Sequence, residues 1–152
     1  MRARSMKVID MAVQTVATIT TEKTIRECAF QMRSQHVGSL VVINDENTPV
    51  GMITDRDIAI EVVGLGKDPE TLTVEDIMTT PVVTAFEDEN MVVALARMRE
   101  FGIRRLPIID HEGKLVGVIS NSNLIEELST LLDSLVRNIH SSKTREVSLR
   151  SC

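Results

Sequence analysis

Gly51-Met52-Ile53-Thr54-Asp55-Arg56-Asp57 is the stretch on which the fold turns, because a looser copy follows as Gly117-Val118-Ile119-Ser120-Asn121-Ser122-Asn123. In each, a glycine precedes two apolar residues and a hydroxyl side chain, and three residues further on stands a carboxylate or a carboxamide. This is the pattern of a strand running into a helix, with the hydroxyl placed to cap the first free backbone N–H groups.

The likeness extends outward from that stretch. A shift of 66 residues lays the two halves on each other without a gap: Val16 on Val82, Thr18 on Thr84, Met32 on Met98, Arg33 on Arg99, Leu40 on Leu106, Ile43 on Ile109, Val50 on Val116 and Glu61 on Glu127. An internal repeat of this length fixes the architecture before any single element does. Each copy begins with a short strand (Val16-Ala17-Thr18; Val82-Val83-Thr84). A helix follows, opened by Thr24 in the capping-box pattern Thr24-Ile25-Arg26-Glu27 in copy one. In copy two it is capped by Asn90 and stopped by Gly102. Two apolar strands then pair across turn residues, Ser39 to Ile43 with Val50 to Thr54, and Leu106 to Ile109 with Leu115 to Ser120. A second helix closes each copy, from Arg56 and from Ser122.

The order is β-α-β-β-α, twice: an α/β (α+β) chain with repeats over 7–66 and 67–129, and a C-terminal helix and polar tail over 130–152. Short lead-in helices are expected at Lys7 to Ala12 and at Thr73 to Met78. Beyond the second copy, Leu124, Leu128, Leu131, Leu132, Leu135, Val136 and Ile139 continue a helical stripe, whose cover is either the chain's own body or a second subunit. From Ser141 the residues are polar and aperiodic and are expected to fray.

Bulk composition narrows the function. With 152 residues, 43% hydrophobic and 26% charged, the chain reads as a soluble globular protein. Its apolar runs are strand-length, short of the roughly 20 residues that cross a bilayer. The N-terminal Met1-Arg2-Ala3-Arg4-Ser5-Met6-Lys7 is basic without the apolar core of a secretory signal, so the expected location is cytoplasmic. A net charge of −5 argues against nucleic acid as a partner. Phe30, Phe86 and Phe101 lie in apolar stretches and are expected to pack in the core. Cys28, in a buried helix, and Cys152, at the chain end, form neither a disulfide framework nor a zinc-binding spacing. His36, His111 and His140 are scattered and are read as solvated. No nucleophile–base order or metal-ligand spacing points to catalysis.

The repeated motif supports two readings. Thr54 with Asp57, and Ser120 with Asn123, satisfy a helix cap and need do nothing else. A carboxylate such as Asp57 can also accept hydrogen bonds from the vicinal hydroxyls of a ribose, beside a helix N-terminus suited to phosphate. Arg56 presents a fork that matches phosphate oxygens, or else pairs with Asp55 or Glu61 on the surface.

The repeat, the two glycine motifs, the Asp76-Ile77-Met78-Thr79 lead-in and the strand Arg104-Arg105-Leu106-Pro107-Ile108 together resemble a tandem pair of cystathionine β-synthase (CBS) domains, a Bateman module, over about residues 7 to 129. That resemblance implies two repeats packed through their sheets about a pseudo-two-fold axis, with two clefts, and often a homodimer. It implies a regulatory binder of adenosine-containing ligands, AMP, ADP, ATP, NAD(H) or S-adenosylmethionine, that senses energy state and signals by conformational change to an effector protein.

Carried over by position, Thr54, Asp57, Ser120 and Asn123 match the ribose-binding pairs. Thr18, Val37, Thr84 and Ile103 match the nucleoside pocket, and Arg56, Arg104 and Arg105 match the phosphate-reaching positions. Copy two departs with Asn123 for Asp and Ser122 for Arg, and a carboxamide suits a diol less well than a carboxylate. Unequal sites follow, the one built on Thr54, Arg56 and Asp57 being the tighter. A nucleotide-processing enzyme and a ligand-free interaction module are the competing readings.

Overall fold

A computed structural model describes residues 6–150. Residues 1–5, which carry most of the basic N-terminal stretch, and Cys152 lie outside the described residues. The chain divides into two compact units, one running to Ile119 and the other from Ser120.

The first unit holds the repeat up to Ile119, without the helix that closes copy two. Copy one comprises β1 (Thr18–Thr20), α2 (Ile25–Gln35), β2 (Ser39–Ile43), β3 (Pro49–Thr54) and α3 (Asp55–Asp57), preceded by α1 (Val8–Met11). After α3 the chain continues as a π-helix, Ile58–Val63, whose wider turn is closed by the Gly64 N–H donating to the Ala59 carbonyl at 2.8 Å. Copy two comprises β4 (Ala85–Phe86), α5 (Met91–Phe101), β5 (Arg105–Ile109) and β6 (Leu115–Ser120), preceded by α4 (Val74–Ile77). The strands form two three-stranded sheets, β1-β2-β3 and β4-β5-β6. β1 runs parallel to β2, and β2 antiparallel to β3; β4 runs parallel to β5.

The first strand of each copy begins two or three residues later than the apolar runs Val16-Ala17-Thr18 and Val82-Val83-Thr84 indicate. The side chains that reach the core are Ile19 and Ala85, and the ladder follows them.

Equivalent backbone positions do equivalent work even where the residues differ. His36 and Gly102 both end a helix in the left-handed region, at φ 55° and 64°. Asn47 and Gly113 both take positive φ in the strand-connecting turn. Asn44 Oδ1 accepts from the N–H groups of Glu46 and Thr48, as Asp110 Oδ1 does from those of Glu112 and Lys114, all at 2.9–3.0 Å.

The lead-in segments are exchanged between the copies. Val74 N–H donates to the Lys23 carbonyl (2.8 Å), and its counterpart Val8 N–H donates to Glu89 (2.9 Å). Ile25 N–H reaches the Leu72 carbonyl, and Met91 N–H that of Met6, both at 2.9 Å. Thr79 bridges Met52 on β3, while Val13 bridges Val118 on β6. Each of these pairs maps onto the other under the 66-residue shift with the partners reversed, which is the signature of a pseudo-two-fold axis.

The core follows the same exchange. Ile19, Ile25, Cys28, Met32, Leu40, Val42, Ile53 and Val62 of copy one bury Val74, with Leu72, Ile77 and Met78 packed against them. The counterparts Ala85, Met91, Ala94, Met98, Leu106, Ile108, Ile119 and Val8 are likewise buried. The core therefore selects residues at positions i, i+3 and i+7 of α2 and α5, namely Ile25, Cys28 and Met32, and Met91, Ala94 and Met98.

That face leaves out the phenylalanines. Phe30 and Phe101 are more than half exposed, and Phe86 is partly exposed with its ring stacked on His111 at 5.2 Å, so the expectation of three core phenylalanines is corrected. His111 also contacts the Asp88 carboxylate at 3.0 Å. That hydrogen bond holds the Asp88 carboxyl below the usual carboxylate range.

The second unit is α6 (Asn121–Arg150). It does not stop at Ser141 as the polar sequence suggests. No glycine or proline interrupts 121–150, and Lys143, Arg145 and Glu146 are good helix formers. The Thr144 hydroxyl donates to the His140 carbonyl one turn back, at 3.0 Å. Among the described residues no helix is long and apolar enough to cross a membrane.

Candidate functional site

β3 delivers Thr54 to the start of α3, and the two side chains of the motif close a reciprocal cap. Thr54 N–H donates to Asp57 Oδ2 at 2.9 Å, and Asp57 N–H donates to Thr54 Oγ1 at 3.1 Å. The cap uses one carboxylate oxygen and one lone pair of the hydroxyl. Among the described residues Asp57 Oδ1 is left to accept, and the Thr54 O–H to donate. In the second unit Asn123 N–H donates to Ser120 Oγ at 3.2 Å, and no return bond from Ser120 N–H to Asn123 forms among the described residues.

The glycine of the motif is there for close approach. A Cβ on Gly51 would stand 2.7 Å from Met78 Sδ and 3.0 Å from the Thr79 carbonyl oxygen. On Gly117 it would stand 3.1 Å from both Ala12 Cβ and the Val13 carbonyl oxygen. The exchanged lead-in can lie against β3 or β6 only where no side chain intervenes.

That crossing builds a cavity of about 730 Å³ in the first unit, within the range of small-molecule sites. Copy one contributes Gly38, Met52, Thr54, Asp55, Arg56 and Asp57; copy two contributes Thr79, Pro81, Val82, Val83, Gly102, Ile103, Arg104 and Arg105. Six residues singled out from sequence thus share one cavity: Thr54, Arg56, Asp57, Ile103, Arg104 and Arg105.

The three guanidinium groups are in no ion pair among the described residues. By contrast, Arg97 is bound to Glu89, Arg137 to Asp133 and Arg26 to Glu70. Arg56 does not form the surface pair with Asp55 or Glu61; the Asp55 carboxylate accepts from the Arg56 backbone N–H at 2.8 Å instead. Unpaired cations facing a cavity are available to an anion.

Asp55, Met52, Thr79, Pro81, Val82 and Val83 are lining residues that the sequence reading missed. Four of them, Thr79, Pro81, Val82 and Val83, come from the segment that joins α4 to β4, whose placement depends on the exchange. Asp55 had a local signal, since Gly38 is where copy two carries Arg104. The Asp55 carboxylate occupies that space, with Oδ2 2.9 Å from where a Gly38 Cβ would be.

Thr18, Val37 and Thr84 do not line the cavity. Val37 packs against the first core. The Thr18 carbonyl accepts from Gln31 Nε2 (2.6 Å), and the Thr84 carbonyl from Arg97 Nη1 (2.9 Å), an equivalent pair of strand-to-helix ties. Ser120 and Asn123 stand in the second unit, at the start of α6. Among the described residues no group of three or more His, Cys, Asp or Glu side chains is arranged to hold a metal ion.

Comparison with known proteins gives a consistent likeness. A family model described as "CBS domain" matches residues 8–64 and 74–130. An uncharacterised protein of Methanopyrus kandleri is 40% identical over 81% of this chain, the matched region spanning 63% of that protein's length. The CBS domain-containing protein YhcV of Bacillus subtilis is 35% identical, over 76% of this chain and 80% of its own. Among solved structures, the CBS domain pair of protein MJ0100, in complex with 5-methylthioadenosine and S-adenosyl-L-methionine, superposes with a TM-score of 0.72 at 25% identity, covering 83% of this chain and 98% of that one.

Proposed function

The chain belongs to the CBS domain family, and from that premise we propose that it is a regulatory module binding an adenosine-containing nucleotide in the cavity between residues 54–57 and 103–105. The observation that carries this reading is the convergence of Asp57, with one carboxylate oxygen uncommitted, and three unpaired arginines on one cavity. Asp57 Oδ1 accepts from the ribose diol and the Thr54 hydroxyl donates to it. Ile103, Val82 and Val83 offer apolar surface to the base, and Arg56, Arg104 and Arg105 take the phosphates. The adenosine ligands in the MJ0100 pair support the ligand class. Within it, AMP, ADP, ATP and NAD(H) are the candidates this arginine set suits, because each brings phosphate.

A ligand in this cavity touches β3 and α3 of copy one and the lead-in and β5 of copy two. Its binding favours whichever arrangement of the copies fits it, and that population shift is the signal. The reading is of a cytoplasmic homodimer that reports to an effector protein and leaves its nucleotide unchanged. It assigns one strong site per chain, since Asn123 offers a diol a single acceptor oxygen and completes only half a cap.

Isothermal titration with AMP, ADP, ATP and NAD tests this. Asp57→Asn keeps an oxygen to accept from Thr54 N–H but removes the carboxylate. It is expected to weaken binding about tenfold to a hundredfold, as for loss of a charged hydrogen-bond acceptor, with little change in melting temperature of the ligand-free protein. Asn123→Ala is expected to leave affinity within about twofold. Unchanged affinity in Asp57→Asn, or loss of binding in Asn123→Ala alone, would overturn the assignment. Absence of binding to any of the four would leave the ligand-free interaction module as the better reading.

A further inference from the structure

The second unit carries a feature that the nucleotide reading does not use. Ile125, Leu128, Leu132, Leu135 and Ile139 follow one another at spacings of three, four, three and four residues, the a/d pattern of a heptad repeat. All five are between 48% and 64% exposed, and Leu131 and Val136 beside them are exposed as well. An apolar stripe of this width on a helix is normally covered.

Charge says by what. Residues 121–135 hold three carboxylates, Glu126, Glu127 and Asp133, and no cation. Residues 136–150 hold four cations, Arg137, Lys143, Arg145 and Arg150, against the single carboxylate Glu146. The helix is therefore acidic in its first half and basic in its second. A second copy laid parallel in register sets like charge on like. Laid antiparallel, it sets the acidic half of each helix on the basic half of the other and opposes the two helix dipoles.

We propose that α6 pairs antiparallel with α6 of a second copy of this chain, along the Ile125 to Ile139 seam. A two-fold axis between Leu132 and Leu135 places Leu132 against Leu135 of the partner subunit, and Leu128 against Ile139 of the partner subunit. Each layer then joins an a position to a d position, the requirement of antiparallel knobs-into-holes packing. The same register sets Glu127 level with His140 of the partner subunit, flanked by Arg137 of the partner subunit and Lys143 of the partner subunit. The seam is about 21 Å long at 1.5 Å per residue, so the pairing is concentration-dependent and weakens as salt rises.

Disulfide trapping in the full chain, in a Cys152→Ser background, tests orientation. Cys28 is fully buried and does not interfere. Chains carrying Ile125→Cys are mixed with chains carrying Ser142→Cys and oxidised. The antiparallel seam predicts the mixed disulfide as the dominant product. Ser142→Cys homodimers in its place would show a parallel pair and overturn the proposal. No cross-link at any concentration would show that α6 does not pair with a second copy along this seam, and would equally overturn it. In sedimentation velocity, Leu132→Glu with Leu135→Glu is expected to halve the apparent mass, with the nucleotide affinity of the first unit retained. A dimer that survives the double substitution would place the contact elsewhere and sink the proposal.

Discussion

Asp57 caps α3 and lines the cavity at the same time, and the geometry shows why these do not conflict. Its Oδ2 is spent on Thr54 N–H while Oδ1 is not, so the cap fixes the direction in which the remaining oxygen points. A buried residue with no part in the site offers a separate check on the core. Cys28 has no exposed surface, and burial pushes its thiol up from 9.0 to about 11. The raised value means that the folded state disfavours the thiolate. The corresponding stability is fully present below pH 9 and is lost as the pH rises toward 11. A rise from 9.0 to about 11 corresponds to roughly 2–3 kcal/mol. The chain has no tyrosine to titrate in that window. In a Cys152→Ser background, urea unfolding at pH 8 and pH 11 should show a loss larger by this amount with Cys28 in place than in Cys28→Ala, the lysines titrating alike in both proteins. Parallel losses in the two proteins would mean that the thiol is solvated in the folded state.

At the scale of elements, the turn from strand to helix was legible because its chemistry is local. Thr24, Asn90 and Thr54 cap the helices that their spacing announces, and the 66-residue shift predicts equivalent turns that the backbone then shows. The exchange of lead-ins was not legible, since chain order assigns residues 72–78 to copy two while packing assigns them to the core of copy one. No local pattern distinguishes the two. The phenylalanines were misplaced for a related reason: an apolar stretch says that a helix is buried on some face, and only the core decides which. Gly51 records the exchange in a single residue. Gly51→Ala drives a methyl group into Met78 and the Thr79 carbonyl, and overpacking of this kind typically costs about 1–3 kcal/mol. Because Thr79 also lines the cavity, Gly51→Ala is expected to weaken nucleotide binding as well as lower the urea midpoint. Gly117→Ala, whose nearest contacts are less tight, should cost less. A larger loss at Gly117 than at Gly51 would contradict the packing described.

For the whole molecule, the exchange means that the sequence repeats are not folding units. A chain cut in the connection Gly64-Leu65-Gly66-Lys67-Asp68-Pro69 would take Leu72, Val74, Ile77 and Met78 from the first core, and Val8 from beside the second copy's buried residues. Val8 and Val74 are both completely buried, so each half would expose a hole where its exchanged lead-in sat. Cavities left by large buried side chains cost about 2–5 kcal/mol each, comparable with the whole stability of a domain of some sixty residues. Fragments 1–66 and 67–152, expressed separately, are therefore expected to show no cooperative thermal transition by circular dichroism in the repeat region. Mixed in equal amounts, they should recover the single transition of the intact chain, because each supplies the segment the other lacks. A cooperative melt of 1–66 alone would show that the first core closes without Val74, and that the exchanged contacts join two finished domains.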